Sequence, residues 1–160
     1  MKEITIQSTF QVYQDISEMP EDVLPLMEKA IEARQKAYAP YSNFYVGAAL
    51  LLDNGETIAG SNQENASYPS GLCAERTAIF YAGAQYPNAK VLKMAISAAS
   101  QNQTTNIPVP PCGACRQSIA EYEIKQGHPI EIYFMGETGQ VLKSHSLSNL
   151  LPLMFNKSML

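Results

Sequence analysis

All three cysteines of the chain fall in two short stretches, CAER at 73–76 and PCGAC at 111–115. Cys112 and Cys115 are spaced i, i+3 behind Pro110 and Pro111, a pair well suited to a helix start. That spacing puts both sulfurs on one side of a first helical turn. Cys73 stands at a second expected helix start, just after Gly71. Two helix N-termini meeting at one point would bring partial positive charge to three thiols and favour their thiolates. Three thiolates make a tetrahedral zinc site with one position open. An open position marks a catalytic rather than a structural zinc. No fourth cysteine exists, and His128 and His145 lie outside both stretches.

Glu75 sits two residues from Cys73, and i, i+2 positions do not share a helix face. It is therefore a poor fourth ligand. It is well placed to act on a water at the open position as general base and proton shuttle. Three thiolates on Zn²⁺ leave a net charge of about −1, which weakens the metal as a Lewis acid. Arg76 is the nearest residue able to offset that charge, by a hydrogen bond to a thiolate. Each part has a plainer reading. A lone CxxC pair is more often structural or redox-active, and a cysteine is often just a small buried hydrophobe. The combination of the two stretches is what makes the site specific.

The elements that must hold these residues can be read from the rest of the chain. Ile4, Ile6, Phe10 and Val12 alternate with mostly polar residues and predict an N-terminal strand. A helix is expected between Ser17 or Asp22 as cap and Pro40, with Leu26, Ala30, Ala33 and Ala37 as its apolar stripe. Two apolar runs flank Asn54-Gly55, which predicts a hairpin with a two-residue type I′ turn. Helices follow from Cys73 to before Pro87 and from Cys112 to about Gln126. They alternate with a strand at 90–100 and two more within 129–146, and a short helix closes 147–155. This order predicts an α/β fold: a three-layer α/β/α arrangement, a mixed sheet of about five strands with parallel central strands, and helices on both faces.

Length and composition fit one globular domain: 160 residues, 46% hydrophobic and 16% charged. Residues 21–160 read as a single domain, and 1–20 as an N-terminal extension that adds a strand. With a net charge of −4 and 11 lysines and arginines, the chain lacks the basic face expected of a protein that grips a nucleic-acid polymer. No run approaches the roughly 20 apolar residues of a membrane span. The start lacks the pattern of a secretory signal. An odd number of clustered cysteines then favours a reducing compartment, the cytoplasm.

Three stretches, AYAPYSNFYVGAAL (37–50), GSNQENASYPSGLCAERTAIF (60–80) and PCGACRQ (111–117), resemble the cytidine deaminase family. The likeness is to its small three-cysteine type acting on free nucleosides. The resemblance covers roughly residues 21 to 155. It implies one zinc per chain held by Cys73, Cys112 and Cys115, with Glu75 moving protons while water attacks C4 of cytosine. It implies that Phe44 packs on the pyrimidine, that Asn62 and Glu64 bind the ribose hydroxyls, and that the backbone at Ala74 holds the exocyclic amine. It also implies a homotetramer with shared active sites, in which Phe155 reaches a neighbouring site. The function so implied is hydrolytic deamination of cytidine and deoxycytidine in pyrimidine salvage, with no polymer or membrane partner. Residues 1–20 depart from the shortest members of the family.

Two other readings stay open on sequence alone. One is a deaminase of a modified cytosine nucleoside of the blasticidin S type, against which the intact NQEN stretch argues. The other is a non-enzymatic module built on a structural zinc, which needs His128 or His145 as a fourth ligand.

Overall fold

The computed structural model describes residues 1–160. Six strands form one sheet: β1 (Phe10–Tyr13), β2 (Phe44–Leu52), β3 (Thr57–Ser61), β4 (Val91–Ser100), β5 (Glu131–Met135) and β6 (Val141–Ser144). Their spatial order is β1-β6-β5-β4-β2-β3. The sheet is mixed as expected, but β4 and β5 are its single parallel pair, and all other neighbours run antiparallel.

Three helices cover the sheet, α1 (Leu24–Arg34), α2 (Ala74–Gln85) and α3 (Gly113–Gln126). One face packs Leu26, Met27 and Ala30 of α1 on Ala49, Ala95 and Tyr133. The other packs Ala78 and Ile79 of α2 and Ile119 of α3 on Leu50, Ile96 and Phe134. Gln126 pins the end of α3 to β4. Its Oε1 accepts from the Val91 N–H at 2.9 Å and its Nε2 donates to the Val91 carbonyl at 2.8 Å.

Close approach of helix to sheet depends on two glycines. A Cβ at Gly60 would sit 2.7 Å from the Ala78 nitrogen and 2.8 Å from the Ala74 carbonyl oxygen, on the α2 side. On the opposite face, a Cβ at Gly47 would collide with the Ala30 carbonyl oxygen and the Arg34 nitrogen of α1. Because those are backbone atoms, no rotamer change relieves the clash. Gly47→Ala is therefore expected to cost about 3 kcal/mol or more in chemical denaturation.

Four local expectations are corrected. Of the N-terminal alternation only residues 10–13 form a strand, paired with β6. Ile4 and Ile6 are exposed, with no neighbouring strand to fix them. Helix α1 has Val23 as its cap and no side-chain cap bond, and it stops at Arg34, short of Pro40. The chain must turn there because the Tyr38 N–H bonds to the Asn62 carbonyl at 3.0 Å. The β2–β3 turn is not type I′. Only Gly55 has positive φ, at 86°, and its N–H bonds to the Leu52 carbonyl at 3.0 Å. That is a three-residue loop built on a type I turn followed by a left-handed glycine. The expected closing helix over 147–155 is a single 3₁₀ turn at Leu147–Asn149. Beyond it, Pro152 lacks an N–H and Leu153 has φ 58°, so the helix cannot propagate.

Candidate active site

Cys73 and Cys112 are the N-caps of α2 and α3. Both have extended backbone with ψ near 160°, which turns their side chains off the helix ends. Cys115 lies one turn into α3 and is fully buried. The three sulfurs all fall within 4.8 Å of one another. Cys73 Sγ is 3.8 Å from Cys112 Sγ, which is 3.5 Å from Cys115 Sγ. A tetrahedral zinc with sulfurs at about 2.3 Å needs them spaced by about 3.8 Å. The donor set, soft thiolates at that spacing, fits a single zinc ion.

His128 and His145 are not part of this cluster. His128 Nδ1 lies 2.7 Å from the Pro129 carbonyl, and His145 Nδ1 pairs with Glu131 at 3.2 Å. The chain thus converges three ligands on the site and no fourth.

Cys73 is already biased toward the thiolate that a metal needs, whereas Cys115 is biased against it. Hydrogen bonding from the Cys115 thiol, with further donation from Arg76 and Cys112, holds the Cys73 thiol down at about 5 against the opposing effect of burial. The same pairing keeps the proton on Cys115 and raises its pKa. Arg76 Nη2 donates to Cys73 Sγ at 3.7 Å, and the thiolate raises the arginine pKa in return. Arg76 Nε is buried without a hydrogen-bond partner.

Glu75, in the first turn of α2, is only 4% exposed. Burial pushes its carboxyl up, and the Cys73 charge acts in the same direction, against hydrogen bonds from its own N–H and from Cys115. A carboxyl raised in this way is shifted in the direction that proton-shuttle chemistry uses.

A cavity of about 450 Å³ opens beside Cys73, walled by Asn62, Glu64, Tyr68, Leu72, Cys73 and Arg76 among others, while Glu75, Cys112 and Cys115 lie outside its lining. Asn62 is half-buried and extends the β2 ladder: its Oδ1 accepts from Val46 N–H at 2.7 Å and its Nδ2 donates to the Phe44 carbonyl at 2.9 Å. One Nδ2 proton and one Oδ1 lone pair remain. Glu64 accepts from the N–H groups of Tyr41 and Ser42 at 2.9 and 3.2 Å and from the Ser42 hydroxyl, and these bonds hold its carboxyl below its ordinary value.

The other expected site residues stand further off. Phe44 is half-buried at the start of β2 and does not line the cavity. Ala74 is fully buried as the first residue of α2. Phe155 is exposed in the C-terminal segment, its carbonyl accepting from Gln117 Nε2 at 2.9 Å.

Sequence reasoning missed two residues. Arg116 donates from Nε to the Pro111 carbonyl at 2.8 Å and from Nη1 to the Leu150 carbonyl at 2.9 Å, tying the PCGAC turn to the C-terminal segment. Ser42 engages Glu64 from 22 residues away. The only signal for Ser42 was a hydroxyl in a polar turn, which every loop serine shares.

Comparison with known proteins agrees with this site. The model of the cytidine and deoxycytidylate deaminase zinc-binding region matches residues 20–128. A cytidine deaminase of Halalkalibacterium halodurans is 52% identical over 96 residues, 60% of this chain and 68% of the relative. One of Sporosarcina psychrophila is 39% identical over 136 residues, 85% of this chain and 93% of the relative. The crystal structure of cytidine deaminase from Burkholderia pseudomallei superposes with a TM-score of 0.71 at 39% identity, covering 86% of this chain and all of that one. Together with three thiols shaped for one zinc beside a buried glutamate, these matches show that the chain belongs to the cytidine and deoxycytidylate deaminase family.

Proposed function

We propose that the protein is a zinc-dependent hydrolase that deaminates cytidine and deoxycytidine to uridine and deoxyuridine, releasing ammonia, in pyrimidine salvage. The observation that carries this reading is three convergent thiols with no fourth protein ligand, next to a buried glutamate. A structural zinc would call for a fourth ligand, and both histidines are held elsewhere.

Cys73, Cys112 and Cys115 hold the zinc, which when bound polarises water and lowers its pKa. Glu75 accepts a proton from the attacking water and passes it to N3 of the ring as the oxygen adds to C4. It next moves the remaining hydroxyl proton to the amine, so the C4–N bond breaks, ammonia departs and the C4 carbonyl forms. By the family resemblance, Phe44 supports the pyrimidine from the β2 side and the backbone at Ala74 receives the exocyclic amine, although neither lines the cavity. Asn62 and Glu64 face the sugar hydroxyls with the hydrogen-bonding positions they have left. Filling those remaining hydrogen-bonding positions favours a nucleoside over the free base.

Arg76 offsets the excess negative charge of a three-thiolate zinc. Arg76→Gln keeps a shorter polar side chain with two N–H donors but removes the charge. It is expected to lower kcat by about 10-fold to 100-fold and to weaken zinc binding, as read by steady-state assay and chelator competition.

Residues 21–160 form the catalytic domain in this reading, with 1–20 as an extension. Exposed Tyr38, Tyr41, Tyr68, Phe80, Tyr81 and Phe155 offer the aromatic surface that a homotetramer with shared sites would bury. Phe155 is the residue assigned to a neighbouring site. No helix is long and apolar enough to cross a membrane, and the reduced thiols suit the cytoplasm. The test is an ultraviolet assay offering cytidine, deoxycytidine, cytosine, blasticidin S and single-stranded DNA in parallel. Turnover of the first two alone is expected; turnover only of blasticidin S or of DNA would overturn the assignment.

A further inference from the structure

We propose that Ser42 is a positioning residue for nucleoside binding, fixing the Glu64 carboxylate against the base-supporting strand. The proposal rests on the reading of Glu64 as a sugar-binding group. The Ser42 hydroxyl donates to Glu64 Oε1 and accepts from the Phe44 N–H at 3.1 Å. One oxygen atom therefore joins the start of β2, which supports the base, to the side chain assigned to the sugar.

The surrounding loop is built to hold that oxygen in place. Asn43 adopts left-handed backbone, φ 54°, a conformation that asparagine tolerates better than most residues. The reversal lets Ser42 face Glu64 while Phe44 enters β2. Asn43 is tied on both sides, its N–H to the Ala39 carbonyl at 3.1 Å and its carbonyl to the Gln101 N–H at 2.9 Å. The Glu64 backbone N–H bonds to the Tyr38 carbonyl at 2.9 Å, so both partners ride on one bridged pair of segments.

Counting acceptor positions shows what this arrangement does. A carboxylate offers about four lone-pair positions. The N–H groups of Tyr41 and Ser42 fill both on Oε2, and the Ser42 hydroxyl fills one on Oε1. A single acceptor position is left on Oε1, in a residue that lines the cavity. Glu64 is thus preset to receive one hydroxyl from one direction. Without the Ser42 hydroxyl, Oε1 has two open positions and the carboxylate is held through Oε2 alone.

Ser42 is exposed and outside the packed core, so its truncation is expected to leave a folded protein. The experiment compares Ser42→Ala, Ser42→Thr, Glu64→Gln and the Ser42→Ala/Glu64→Gln double variant. Each is assayed for cytidine KM and kcat and for zinc content. Ser42→Ala is expected to raise KM about tenfold with kcat within about twofold and zinc unchanged, the signature of lost uniform binding. Ser42→Thr, which keeps the hydroxyl, is expected to restore KM to within about threefold of the parent, and Ser42→Ala to add nothing in the Glu64→Gln background. An unchanged KM in Ser42→Ala alongside a raised KM in Glu64→Gln overturns the proposal but leaves the sugar assignment standing. An unchanged KM in Glu64→Gln overturns the sugar assignment and this proposal together. A fall in kcat that tracks lost zinc overturns the proposal in favour of a role in loop structure alone.

Discussion

Replacing Glu75 with alanine is expected to leave a protein that still takes up one zinc per chain and to lower turnover by about 10⁴-fold. The size of the loss follows from the number of protons the carboxylate moves. In the proposed mechanism it takes one from water, gives it to the ring, and then serves the departing amine. The expected effect on stability has the opposite sign. Glu75 is 4% exposed with its carboxyl pushed up by burial, a desolvation penalty that alanine does not carry. Glu75→Ala should therefore melt at the same temperature as the parent or higher, as expected when a strained functional group is removed. Retained activity would end the mechanism. Lost activity with lost zinc would recast Glu75 as support for the metal site.

Cys115→Ser is expected to have the second large effect, and a different one. Cys115 is fully buried between α3 and the other two sulfurs. Serine is a hard, poorly ionised donor, so zinc affinity should fall by about 10²-fold to 10³-fold, roughly one ligand's share of a thiolate site. Turnover at limiting zinc falls with it. Cys112 is exposed, so Cys112→Ser should lose similar zinc affinity with a smaller drop in the melting temperature of the metal-free protein. The difference arises because only the Cys115 variant buries a new hydroxyl that needs a partner. Chelator competition and thermal melts on the two variants separate the metal contribution from the packing contribution.

What could be read from sequence was what local chemistry decides. Both helix starts at the cysteines were legible, because Pro110 and Pro111 ahead of Cys112 and the loop ending at Gly71 ahead of Cys73 are local signals. So was the α/β order of elements, apart from the extent of the N-terminal strand and the closing helix. Long-range contacts decide what was not legible. The Asn54-Gly55 pair suggests a two-residue turn by itself. In the structure the neighbouring Asp53 N–H is drawn to the Lys90 carbonyl at 2.9 Å, and the loop takes three residues. Helix α1 could have run on to Pro40 on propensity alone. The pairing of Tyr38 with Asn62 stops it at Arg34.

Within the site, residue types pointed to the zinc ligands, Glu75 and Arg76, because metal and proton chemistry restrict which side chains will serve. Ser42 and Arg116 were not legible because their partners are the Glu64 carboxylate and the carbonyls of Pro111 and Leu150. Only the folded chain brings those groups together.

The most direct test of the account is to titrate zinc into metal-free protein while following conversion of cytidine to uridine. Histidine-free His128→Ala/His145→Ala protein is titrated in parallel. The three-thiol site predicts that turnover rises linearly, saturates at one zinc per chain, and follows the same curve with and without the histidines. Zinc uptake without turnover, or loss of zinc when the histidines are removed, would contradict it.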